Sequence, residues 1–139
     1  MDPIYTAQAT VLGGRSGCVS SCDGRLRVDL STPAALGGDD GRGTNPEQLF
    51  AAAYAACFLA TLRMEAQERA VALASDSNVT ATVRLTAGDA SGPVLAVSLS
   101  LDLPGLPPEL AEVLAARAHA RCPYSKAVCG NVEVRIDVT

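Results

Sequence analysis

Five cysteines, one histidine and two arginines set among glycines are the residues of this 139-residue chain best suited to reactive chemistry. The cysteines are Cys18, Cys22, Cys57, Cys122 and Cys129, and the odd number excludes a complete disulfide framework within one chain. In a reducing compartment, disulfides are usually transient and catalytic. Thiol redox chemistry is therefore the first chemistry to weigh, against the ordinary use of cysteine as a small buried hydrophobe.

Cys57 lies mid-helix in "AAAYAACFLATL". Its ordinary role there is core packing. It stands ten residues past Glu47, beyond the first turn in which a helix dipole is felt, so a thiolate at this position needs a cation brought from elsewhere. Cys122, in "HARCPYS", precedes a proline that ends one helix and starts another turn. That location suits a mobile or reactive thiol, or else a packed helix-end residue. Cys18 and Cys22, spaced C-x3-C, flank a turn, and His119 precedes Cys122 by three. A zinc site from Cys18, Cys22, Cys122 and His119 is conceivable, although no C-x2-C pair is present. The plainer reading makes Cys18, Cys22 and Cys129 packing residues and His119 a helix residue with a local hydrogen bond. Arg15, in "GGRSG", lacks nucleotide-loop spacing and reads as a guanidinium on a flexible loop; Arg42, in "DGRG", is equally open to a functional or a solvent-exposed role.

The elements that must position these groups follow from pattern. "IYTAQATVL" (4–12) reads as a strand, 18–21 as a short returning strand, and "RLRVDLS" after Asp23-Gly24 as a third. Residues 32–44 are a loop. Thr44-Asn45-Pro46-Glu47-Gln48 is a helix start, with Asn45 as cap, Pro46 at the first position and Gln48 completing a capping box. The helix is predicted to reach residue 68 or 69, apolar on all sides from Leu49 to Leu62. A helix apolar all round is buried all round, and a second copy is the simple way to cover it. Strands follow near 77–87 and 93–103, then a helix over 108–120 with Leu110, Val113 and Leu114 on one face, a short helical turn after Cys122, and a closing strand "VEVRIDV". The order is α+β with mainly antiparallel pairing, in one domain, 1–139.

Composition narrows the classes. The net charge is −4, with no Lys/Arg cluster for nucleic acid. The most apolar stretch, about 14 residues, is shorter than the roughly 20 a membrane helix needs. The Met1 start carries no signal-peptide pattern. A soluble cytoplasmic protein is expected.

Taken together, "GGRSG", "LSTPAALGG", "TNPEQLFAAAYAACF", "LPGL" and "AHARCPYS" resemble the organic hydroperoxide resistance proteins of the OsmC-like superfamily, over nearly the whole chain. The resemblance implies an OsmC-like fold, with a long buried central helix in an intertwined homodimer and two sites at the subunit interface. It implies a peroxidatic Cys57, a resolving Cys122, and supporting roles for Arg15 and Glu47. It further implies organic and fatty-acid hydroperoxides as substrates, recharging by dihydrolipoamide or lipoylated protein, and no cofactor. Cys18, Cys22 and Cys129 depart from the family's two-cysteine pattern.

The chemistry suits these assignments. Only a thiolate attacks a peroxide well. Arg15 can stabilise it, and Glu47 can clamp the guanidinium bidentately. Glu47 and Cys57 are ten residues apart, about 15 Å along a helix and roughly 80° around it. The expectation is therefore that each site takes Cys57 from one subunit and Glu47, with Arg15, from its partner, the helices crossing antiparallel near Ala52. Phe50, Phe58 and Tyr124 are candidates to line an apolar pocket. Two other readings remain: a non-catalytic thiol redox sensor and the metal-binding module.

Overall fold

A computed structural model describes the whole chain, Met1–Thr139. It forms two compact units, Met1–Leu49 and Phe50–Thr139.

The first unit is an antiparallel meander of β1 (Ala9–Leu12), β2 (Cys18–Ser21) and β3 (Arg27–Asp29). The first strand is shorter than the 4–12 expected from its composition. A strand is limited by its partner: the four residues of β2 pair one for one with Ala9–Leu12 before the turn at Asp23-Gly24. One more ladder bond, Cys22 N–H to the Gln8 carbonyl (3.1 Å), closes the pairing. The loop after β3 is folded back by Gly43 N–H on Ser31 Oγ (2.8 Å) and by Thr44 N–H on the Asp29 carbonyl (2.9 Å). This return lays Thr44 beside Leu30, so the start of the next helix is delivered to the end of β3.

That helix, α1 (Pro46–Glu68), begins as its capping residues dictate. Asn45 Oδ1 accepts the Gln48 N–H at 2.9 Å. The capping box is altered, because the Gln48 side chain accepts from the Thr44 hydroxyl (2.7 Å) rather than reaching back to a backbone amide.

The second unit carries most of α1 against a sheet of order β4-β5-β6. The strands β4 (Asn78–Asp89) and β5 (Gly92–Asp102) form a long antiparallel hairpin. The final strand β6 (Glu133–Val138) pairs parallel to β5, unlike the antiparallel majority. Helices α2 (Pro108–Arg121) and α3 (Pro123–Val128) make the crossover that parallel pairing requires. Val97, Leu99 and Leu101 alternate onto one face of β5 and join Tyr54, Phe58, Leu62 and Ala66 of α1 in the core. The buried row of α2 is Ala111, Leu114, Ala115 and Ala118; of the face read as Leu110, Val113 and Leu114, Val113 is exposed. Small alanines let α2 pack closely, and the row one residue away faces out.

The all-round burial expected of α1 includes a second copy, and one chain supplies only part of it. In the single chain α1 buries one stripe, Tyr54–Phe58–Leu62 with Thr61, Glu65 and Ala66, while Ala52, Ala56 and Ala60 are exposed. The material of one chain covers only one side of so apolar a helix. At 23 residues, α1 is also longer than the 14-residue apolar run, and length and composition alone would let it cross a bilayer. Its buried aromatic stripe and the buried Glu65 instead show a helix built into a protein core.

Candidate active site

Two constellations arise, one in each unit. In the first, Arg15 and Glu47 meet. The β1–β2 connection is a tight turn, with Gly13 and Gly14 at positive φ (76° and 60°) and a single helical turn over Gly14–Ser16. Gly17 admits no side chain, since a Cβ there would sit 1.5 Å from the Leu12 carbonyl oxygen. The turn is fastened by Ser16 Oγ to Thr32 Oγ1 (2.9 Å) and by Leu30 N–H to the Gly17 carbonyl (2.8 Å). The glycines build a tight turn that presents Arg15 to Glu47. From it, Arg15 Nη1 donates to Glu47 Oε2 (2.9 Å) and Nη2 to Oε1 (2.5 Å). This bidentate fork fixes the plane of the guanidinium. The hydrogen bond from Arg15 holds the Glu47 carboxyl below its ordinary range, against an opposing effect of burial. Arg42 is exposed and enters no ion pair.

In the second unit, Cys57 and Cys122 meet. Cys57 projects from the middle of α1 and is half-buried; Cys122 is completely buried. Cys122 both ends α2 and starts α3. Its N–H bonds the Ala118 carbonyl (2.7 Å), its carbonyl takes the Lys126 N–H (3.0 Å), and Pro123 opens the new helix. The Cys122 thiol points at Cys57, Sγ to Sγ 3.8 Å. A disulfide needs about 2.05 Å, so small side-chain rotations would close it. Burial, then the adjoining Cys122 thiol, push the Cys57 pKa above its ordinary value; the Tyr124 backbone N–H pulls the other way. No cationic side chain of Phe50–Thr139 offsets this rise. By itself this unit holds a thiol, and the stabilised thiolate still needs its cation.

Of the expected apolar lining, Phe58 is sealed in the core and cannot touch substrate, because it continues the buried row of Tyr54. Phe50 is half-buried and Tyr124 partly exposed, each 6.1 Å from the Tyr54 ring centroid. No three His, Cys, Asp or Glu side chains cluster in a way that could hold a metal ion. The metal-module reading thus lacks a ligand set. Cys18, Cys22 and Cys129 are exposed, contrary to a packing role.

Two supporting networks escaped the sequence reading. Ser125 Oγ lies between Tyr54 Oη (2.7 Å) and His119 Nδ1 (2.9 Å), so His119 does have the local hydrogen bond expected of it. Immediately before Cys122, Arg121 Nη1 donates to Glu65 Oε1 (2.6 Å) and Glu68 Oε2 (2.7 Å), tying the end of α2 to α1. Glu65 was detectable in principle. It falls on the Tyr54–Phe58–Leu62 stripe, and a charge on a core face demands a partner. Replacing Arg121 with leucine leaves the Glu65 carboxylate only Arg69, 3.8 Å away. The expected result is a lower urea midpoint, partly restored by adding Glu65→Leu; strictly additive losses would show the two residues to be uncoupled.

Comparison with known proteins matches this arrangement to relatives. The profile of the OsmC-like protein family matches residues 37–137. The organic hydroperoxide resistance protein of Xanthomonas axonopodis pv. citri (strain 306) is 41% identical over 134 residues, covering 96% of this chain and 93% of its own. Organic hydroperoxide resistance protein OhrB of Bacillus subtilis (strain 168) is 41% identical over 137 residues, covering 97% and 98%. Among crystal structures, an organic hydroperoxide resistance protein from Legionella pneumophila gives a TM-score of 0.94 at 45% identity, covering 99% of each chain. Bacillus subtilis OhrB gives 0.89 at 41% identity, covering 99% of this chain and 100% of that one. With a profile match across most of its length and relatives of this name along nearly all of it, the chain belongs to the OsmC-like family, among the organic hydroperoxide resistance proteins.

Proposed function

We propose that this protein detoxifies organic hydroperoxides as a thiol peroxidase, with Cys57 as nucleophile and Cys122 as resolving thiol. The observation that carries the reading is the 3.8 Å approach of the two sulfurs, drawn from helices 65 residues apart in sequence. The Cys57 thiolate attacks the terminal peroxide oxygen, the O–O bond breaks, and an alcohol leaves once its alkoxide is protonated. Cys57 becomes a sulfenic acid. Cys122 then displaces the hydroxyl as water to form the disulfide. A dithiol of the dihydrolipoamide type reduces that disulfide by two exchange steps and is itself oxidised to a cyclic disulfide. The cycle suits a reducing cytoplasm, where the dithiol is kept reduced.

The cation that Cys57 lacks is supplied, on this reading, by the Arg15–Glu47 fork of a second copy in a homodimer. Three features support a partner. The fork is already assembled and stays partly solvent-accessible. The exposed Ala52, Ala56 and Ala60 make a small-residue strip on α1 along which another helix can approach closely. The strand β1 is exposed throughout, leaving Val11 and Leu12 uncovered. Half-buried Phe50 and partly exposed Tyr124, both packed against the Tyr54 ring, offer apolar contact for an alkyl chain.

The test is turnover: tert-butyl hydroperoxide with dihydrolipoamide as the only reductant. Many equivalents of peroxide consumed per protein are expected, with kcat/KM higher than for hydrogen peroxide. A single equivalent consumed and no cycling would instead identify a redox sensor.

A further inference from the structure

Three side chains near the thiol pair have no part in the chemistry so far. Tyr54 is completely buried and Ser125 is 2% exposed, yet both carry hydroxyls. Buried hydroxyls are retained where they are satisfied, and these satisfy each other. Ser125 Oγ stands between Tyr54 Oη and His119 Nδ1 at 2.7 and 2.9 Å. Where His119 accepts at Nδ1, Ser125 O–H donates to it and Tyr54 O–H donates to Ser125.

The placement of the three residues is regular. Tyr54 is three before Cys57 on α1, His119 three before Cys122 on α2, and Ser125 three after Cys122 on α3. Residues three apart on a helix are neighbours. The chain of hydrogen bonds therefore joins all three helices at the level of the two sulfurs. The phenol feels both thiols: burial raises its pKa, the Ser125 bond lowers it, and Cys122 and then Cys57 raise it further. Pro123 stands at the first position of α3, and Ser125 ties that turn to Tyr54 and His119.

We propose that Tyr54, Ser125 and His119 are positioning residues that lock the first turn of α3 and so hold Cys122 in reach of Cys57 for disulfide closure. None of them touches the reacting oxygen. Their effect falls on the resolving step, in which Cys122 loses its proton, the new S–S bond forms and water leaves. The inference deepens the peroxidase reading and rests on it, but its test does not require peroxide.

The measurement is the effective concentration of the Cys57–Cys122 pair against a glutathione redox buffer, in the full-length protein. Ser125→Ala is expected to lower it about tenfold or more, since small misplacements of reacting groups are expensive. His119→Asn keeps an amide oxygen where Nδ1 stood and is expected to stay within about threefold of wild type. His119→Gln moves the amide outward to the place of Nε2 and is expected to fall with Ser125→Ala. Denaturation midpoints of the two histidine variants control for simple loss of stability. In single turnover with tert-butyl hydroperoxide, Ser125→Ala should leave sulfenate formation within about threefold and extend the sulfenate lifetime. Equal losses in the Asn and Gln variants, or an unchanged effective concentration in Ser125→Ala, would overturn the proposal. A wild type that closes the disulfide in redox buffer but consumes no hydroperoxide would refute the peroxidase reading while leaving the positioning role intact.

Discussion

Cys57→Ser is expected to abolish hydroperoxide turnover, by a factor on the order of 10³ or more, because a serine hydroxyl offers no comparable anion at neutral pH. Cys122→Ser is expected to behave differently. Its Cys57 still attacks, but with no thiol 3.8 Å away the sulfenic acid has no internal partner. One equivalent of peroxide should disappear quickly and turnover should then stall. Trapping with dimedone, read by mass spectrometry, should label Cys57 in the Cys122→Ser protein and barely label wild type. Excess peroxide should drive the stalled protein to the irreversible sulfinic acid. Continued cycling of Cys122→Ser at the wild-type rate would assign resolution to another thiol. Cys18, Cys22 and Cys129 are exposed and free, so that outcome has a ready reading in transfer between molecules, and it would remove Cys122 from the mechanism.

The second large effect concerns Arg15. Arg15→Ala should lower kcat/KM by about 10² to 10³, the usual consequence of removing one fixed group that stabilises reacting charge. Arg15→Lys should recover little, since an ammonium cannot reproduce the fork on Glu47. Reaction of Cys57 with iodoacetamide should require a higher pH in Arg15→Ala, because burial and the Cys122 thiol then act unopposed by a cation. An unchanged alkylation profile would separate Arg15 from the thiolate. Complementation tests the partner arrangement. When Cys57→Ser and Arg15→Ala subunits are unfolded together and reassorted, half the dimers of the proposed assembly would be mixed. Each mixed dimer then has one intact site if Arg15 serves the partner's Cys57, and about a quarter of wild-type activity should return. If Arg15 serves its own Cys57, none returns.

The fork also carries a pH signature. The folded-state pKa of Glu47 is depressed, chiefly by the Arg15 hydrogen bond. Its contribution to stability is thus present above the ordinary carboxylate pKa and is lost as pH falls through the lowered value. Glu47→Gln should flatten that part of the acid limb in a denaturation series. A parallel displacement of the whole curve would point instead to a merely structural role.

Much of this molecule was legible in its residues because the relevant forces are local. Asn45, Pro46 and Glu47 set the start of α1, since a capping side chain and a pre-set φ act within one turn. Pro123 separated α2 from α3 for the same reason. Together with their surrounding motifs, Cys57, Cys122, Arg15 and Glu47 were legible as the candidate residues. What only the tertiary structure decided depends on partners distant in the chain. The length of β1 was set by the four residues of β2. The parallel entry of β6 was set by the α2–α3 crossover. The exposed side of α1 was left by the limited reach of one chain, and the helix's apolar pattern could not distinguish which stripe the sheet would take. The Tyr54–Ser125–His119 and Glu65–Arg121 networks join residues as many as 71 apart. Hydrogen bonds of that kind have no periodicity to read, because their geometry exists only after the helices have packed.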